Sequence, residues 1–209
     1  PMRDDAFLTE HDAPIPPHIK GLIFDCDGTL VDTMPLHFLA WERTLERHGM
    51  KLSEKRFYEF AGMPTQRIVE ILAKEQGLIV SAAEIAHEKE QMYVASIPGV
   101  QKIRQVVDIA VREKGRRKLA VASGGWKNVV LQSLRAIQTE KLFEVIVGAD
   151  DVTHGKPAPD MFLKAAALMG VRPEECVVYE DGELGIEGAK SAGMAWVDVR
   201  PWYLPRKKI

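Results

Sequence analysis

Two aspartates, Asp25 and Asp27, stand one residue apart directly after the short apolar run GLIF (21–24). An aspartate can act as a covalent nucleophile and carry a phosphoryl group. A second carboxyl two residues on points the same way where the chain is locally extended. There it is placed to protonate a leaving oxygen and afterwards to activate water. Ser123 closes a second apolar run, Lys156 sits in the loop after a third, and Glu180 with Asp181 closes a fourth. Asp25, the Asp27 backbone and Asp181 offer oxygen ligands to a hard cation, and Mg²⁺ prefers few carboxylates completed by water and a substrate phosphate. Without a cation, several carboxylates in one cleft repel each other and hold their protons more tightly. A metal ion together with Lys156 would neutralise them and admit a phosphate. Gly28 and Thr29 allow a tight loop whose amides can cradle phosphate oxygens. Ser123, followed by Gly124 and Gly125, opens a helix, where amides and dipole favour an anion.

These residues are far apart in sequence, so the elements between them must bring them together. Strand-like runs LAVAS (119–123), VIVGAD (145–150), CVVYED (176–181) and AWVDV (195–199) alternate with helical stretches at 101–114, 127–136, 159–169 and 183–192. Nearly continuous apolar strands indicate burial on both faces of a parallel sheet. With GLIF included, about five strands are expected, and the crevice beyond their carboxyl ends is the usual ligand site. Residues 34–97 differ: helical periodicities begin at Leu36, Ser53, Thr65 and Ser81, and no strand is expected. This helical unit, bounded by Pro35 and the Pro98-Gly99 pair, is read as an insertion after the first strand. Residues 1–18 read as an irregular lead-in, and the basic tail of Arg206, Lys207 and Lys208 as a solvated terminus.

At 209 residues, the chain fits one large domain or one domain with a modest insertion. A net charge of −2 supplies no global field for gripping nucleic acid or an anionic membrane, and neither partner is expected. The two cysteines, Cys26 and Cys176, make a disulfide framework or zinc site unexpected. No run reaches the length of a membrane span and the lead-in lacks an apolar signal segment, so a cytoplasmic protein is expected, monomeric or weakly oligomeric.

FDCDGTLVDT (24–33), the Ser of VASGG, the Lys of GKPAPD (155–160) and the ED of VVYEDGELGIEGAKSAGM (177–194) together resemble the four motifs of the haloacid dehalogenase superfamily. The resemblance runs from about residue 20 to 200. It implies an α/β core of the Rossmannoid type, a parallel sheet flanked by helices, formed by 1–33 with 99–209. The small inserted helical cap (C1 type) would be 34–98. Within the superfamily, His37 with AWERTLERHG, and GMPTQRI (62–68), look like the beta-phosphoglucomutase and fructose-1-phosphatase group. The roles implied are Asp25 as nucleophile, Asp27 as general acid and base, and Ser123 and Lys156 as holders of the phosphoryl group. Asp181 would bind Mg²⁺, with Glu180 a ligand or neighbour. His37 and the turn at Gly62 would face a small phosphorylated sugar, with Lys127 and Asn128 near its distal end. His37 reads equally well as a packed helix histidine, and Trp41, Phe57, Phe60 and Met63 read mainly as cap core. Ala61 and Thr65 stand where a lysine and an arginine are typical of beta-phosphoglucomutase itself. That departure favours a Mg²⁺-dependent sugar phosphatase over a phosphohexomutase. A non-catalytic binding protein on the same scaffold is a third reading.

Overall fold

The computed structural model describes residues 10–203; residues 1–9 of the lead-in and the Arg206, Lys207 and Lys208 tail lie outside it. Five strands form one parallel sheet: β1 (Gly21–Phe24), β4 (Lys118–Ala122), β5 (Val145–Val147), β6 (Cys176–Glu180) and β7 (Ala195–Asp198), in the order β5-β4-β1-β6-β7. Along β1, Leu22 and Phe24 enter one apolar layer and Ile23 the other, as the strand period of two requires. The first layer packs against α5 (Arg104–Glu113) and α6 (Lys127–Ala136) through Val106, Val107, Ile109, Val130 and Leu134. The second packs against α7 (Asp160–Met169) and α8 (Glu183–Ser191) through Met161, Phe162, Ala165 and Ala189. Burial on both faces is why these strands read as continuous apolar runs rather than alternating ones.

The chain moves from β1 outward to β4 and β5, then returns past β1 to β6 and β7. The register pairs Phe24 with Val121 on one side and with Tyr179 on the other. The residues following β4, β1 and β6 therefore emerge side by side where the strand order reverses, the place where such sheets open a crevice.

Four helices lie between β1 and β4: α1 (Met34–Arg47), α2 (Glu54–Glu59), α3 (Thr65–Glu75) and α4 (Ala82–Val94). Ser53 and Ser81 cap two of them, each accepting a hydrogen bond from the amide three residues on (Arg56 and Glu84). They bury a core of their own, built from Trp41, Leu45, Phe57, Ile68, Leu72 and Ile85. At its neck, β2 (Val31–Asp32) pairs antiparallel with β3 (Gln101–Lys102), a ribbon the sequence reading did not anticipate. The helix expected over 101–114 accordingly begins later, at Arg104. Among the described residues, no helix is long and apolar enough to cross a membrane.

Candidate active site

Asp25 follows the central strand and is buried, and Lys156 Nζ donates a hydrogen bond of 2.6 Å to its Oδ1. The same ammonium group donates to Glu180 Oε1. Glu180 Oε2 accepts from the amides of Asp181 (2.9 Å) and Gly182 (2.8 Å), at the start of α8. Both oxygens of Glu180 thus have partners inside the protein, and its evident work is to fix Lys156 and the turn into α8. Asp181 is held from the other side, by Thr29 Oγ1 at 3.1 Å. Gly28 explains the closeness of that packing: its φ is +84°, and a Cβ there would lie 2.1 Å from Asp181 Oδ2.

Gly28 and Thr29 differ from expectation. Their amides are spent inside the loop, on the carbonyls of Val31 (2.8 Å) and Cys26 (3.3 Å), so they do not form a phosphate cradle. They position Asp181 instead. Cys26 packs into the apolar layer, away from the two aspartates that flank it.

Asp25, Glu180 and Asp181 each bring one carboxylate oxygen to within 4.8 Å of the others. Burial and the neighbouring Glu180 charge push Asp25 up to about 8 in spite of Lys156, and burial with Glu180 and Asp25 pushes Asp181 well upward. Burial works against the Lys156 charge, but Asp25 and Glu180 outweigh it and keep the ammonium protonated. A crowded, all-oxygen set of buried acids fits a hard divalent cation, whose charge would relieve the repulsion. The side chain of Asp27 is not part of this cluster, leaving its backbone oxygen as the only way it could take part.

Asp27 belongs to a second network. Its Oδ1 accepts from Thr33 Oγ1 (2.7 Å) and lies 3.3 Å from His37 Nε2 and 3.4 Å from the Tyr93 hydroxyl. Burial would raise its proton affinity, but His37, Thr33 and Lys89 outweigh that and hold it at about 2. His37 stacks on Tyr93 with ring centroids 3.7 Å apart, and its Nδ1 meets Lys89 Nζ at 2.8 Å. A protonated Lys89 requires Nδ1 to accept, which places the ring proton on Nε2, facing Asp27. His37 is both packed on Tyr93 and placed at the cavity wall.

That cavity, of about 90 Å³, lies between the sheet edge and the insertion. Asp25, Asp27, Ser123 and Asp181 line one wall; His37, Trp41, Phe60, Thr65, Lys89 and Glu90 line the other. Ser123 Oγ accepts from the Gly125 amide at 3.1 Å, which leaves its own proton free to donate. Gly62 closes the space from the insertion side. A Cβ at Gly124 would sit 2.6 Å from the Gly62 carbonyl oxygen, so the glycine lets the two loops touch rather than merely leaving an amide open. Lys127 and Asn128 are not among the lining residues: Lys127 Nζ pairs with Asp151 at 3.1 Å, and Asn128 is exposed.

The sequence reading passed over Lys89, Glu90 and Tyr93. A signal was present: Ile85, Ala86, Lys89 and Tyr93 share the buried face of α4, so a lysine stands in an apolar stripe.

The family model for haloacid dehalogenase-like hydrolases matches residues 22–199, and the chain belongs to that family. It is a hydrolase acting on phosphate esters. It is 37% identical over 180 residues to fructose-1-phosphate phosphatase YqaB of Escherichia coli, covering 86% of this chain and 96% of that one. It is also 30% identical over 192 residues to beta-phosphoglucomutase of Bacillus subtilis, covering 87% and 83%. Among solved structures, a beta-phosphoglucomutase from Clostridium difficile shares the fold, with a TM-score of 0.79 at 24% identity over 86% of this chain and 84% of that one.

Proposed function

We propose that this protein is a Mg²⁺-dependent phosphatase of small sugar phosphates, working through an aspartyl-phosphate on Asp25. The observation that carries this reading is the convergence of Asp25, Ser123 and Asp181 on one wall of a cavity whose opposite wall is a helical cap, residues 34–98, with Lys156 bonded to Asp25 behind that wall. Because Asp25 and Lys156 are buried, the cap lifts to admit substrate and its return excludes water.

Asp25 attacks phosphorus in line while Asp27 gives a proton to the leaving alcohol. Asp27 is ionised in the substrate-free site, but a phosphate dianion beside it raises its proton affinity and lets it arrive protonated. Asp27 then takes a proton from water, which attacks the aspartyl-phosphate and releases inorganic phosphate, restoring Asp25. Lys156 and Ser123 donate to the transferring oxygens. Asp25, Asp181 and the Asp27 backbone would hold the cation, which supplies positive charge where negative charge builds up.

The similarity to fructose-1-phosphate phosphatase supports a sugar phosphate substrate. A phosphohexomutase is the second reading, supported by the Bacillus relative. Ala61 and Thr65 weigh against it, since the cap offers no basic group at either position. A phosphate-release screen over a panel of sugar phosphates, with and without Mg²⁺, tests the proposal, alongside conversion of glucose 1-phosphate to glucose 6-phosphate. Absence of phosphate release from every sugar phosphate would refute it. Isomerisation without release would favour the mutase.

A further inference from the structure

The cap wall of the cavity holds an ion pair whose hydrogen bonds reach neither Asp25 nor Asp27. Lys89 is 3% exposed, and its Nζ donates to His37 Nδ1 (2.8 Å) and to Glu90 Oε1 (3.0 Å). Its remaining side faces the rings of Trp41 (5.4 Å) and Tyr93 (5.5 Å). Thr65 Oγ1 donates to the same Glu90 oxygen, at 2.5 Å. Among the described residues, Lys89 is the sole lysine or arginine lining the cavity. Its charge is matched by Glu90, whose side chain is 19% exposed and whose Oε2 has no hydrogen-bond partner among the described residues.

We propose that Glu90 is a specificity-determining residue, by which the cap accepts a hydroxyl-bearing, uncharged leaving group and rejects one carrying a second phosphate. The chemistry of the wall supports this. Thr65 has committed its proton to Glu90, so its remaining capacity is to accept, and the free Glu90 oxygen can only accept. Sugar hydroxyls have protons to give to such a surface. A phosphate dianion has none, and it would face a carboxylate with no unpaired cation to offset the repulsion. Burial works against the Glu90 charge, but the Lys89 charge and the hydrogen bonds from Lys89 and Thr65 favour it and hold the carboxyl below its ordinary value. The inference rests on the phosphatase reading for its substrate class, though it concerns what the pocket binds rather than what the site then does.

The test separates the two. In an Asp25→Asn background, which stops turnover, calorimetry measures the affinities for fructose 1-phosphate and fructose 1,6-bisphosphate with and without Glu90→Gln. The added change should shift the affinity ratio toward the bisphosphate by about tenfold or more. A shift below about threefold overturns the proposal. Glu90→Thr removes the same charge with a shorter side chain and must move the ratio in the same direction, so loss of fold in one variant leaves the other to decide. Wild-type protein that releases no phosphate from any monophosphate would remove the phosphatase reading, while the affinity ratio would still decide the role of Glu90.

Discussion

The two walls of the cavity are built on different principles. The sheet side is built on interlocked charges: Asp25, Glu180 and Asp181 line the cavity at or just past strand ends, and Lys156, from the longer loop after β5, ties Asp25 to Glu180 from behind. The cap-side wall is largely apolar, with Trp41, Phe57, Phe60 and Ile68 surrounding a single matched ion pair on α4. On the proposed reading, the first arrangement holds groups where charge develops during phosphoryl transfer. The second excludes water and presents acceptors to whatever the phosphate is attached to. On that reading, reaction and selection fall to separate parts of the chain.

The largest effect should come from breaking the sheet side. Asp25→Asn should lower kcat by about a thousandfold or more while circular dichroism and thermal unfolding stay close to wild type. Retained phosphate release would overturn the nucleophile assignment. Chelation of divalent cations should cost at least about a hundredfold in steady-state rate, recovered on adding Mg²⁺; a rate indifferent to EDTA would mean that Asp25 and Asp181 hold no working ion. An intermediate effect is expected where the walls meet. Gly124→Val places side-chain atoms against the Gly62 carbonyl and should cost about tenfold in kcat/KM by holding the cap off its seat, and unaltered kinetics would show that this contact does not matter. Breaking the cap side should act mainly on stability: Lys89→Met leaves Glu90 without its charge partner and should destabilise by about 1–3 kcal/mol in urea unfolding. The smallest effect is expected of Lys127→Ala, within about twofold in kcat/KM, because its amine is occupied by Asp151 outside the cavity. A large loss there would return Lys127 to the substrate site.

The same contrast explains what the sequence disclosed. The sheet-side residues were legible because each ends an apolar run or, for Lys156, sits in the loop after one, and the alternation of strand and helix dictates that such ends converge. The cap-side pair was obscured because HEKEQ (87–91) reads locally as a solvated helical face, and only the buried neighbours Ile85 and Tyr93 reveal that Lys89 points inward. The β2–β3 ribbon was invisible for another reason: each strand has two residues, and Gln101 and Lys102 are exposed, so no alternation marks them. The role of Gly124 depends on residue 62, and no local pattern records an approach between positions so distant in the chain. Gly28 and Thr29 were assigned to the right loop but the wrong task, because the destination of their amides is decided by how tightly that loop turns.

The ribbon has a consequence for what the chain can carry between β1 and β4. Val31 lies beside Lys102 and Asp32 beside Gln101, so the outgoing and returning chain cross the same gap as a matched pair. Whatever is spliced between those two positions meets the sheet through one short, closed gate, and the strand ends behind it need not shift to accommodate the newcomer. An inserted segment of another length could therefore be closed off at the same ribbon while β1 and β4 keep their places in the sheet.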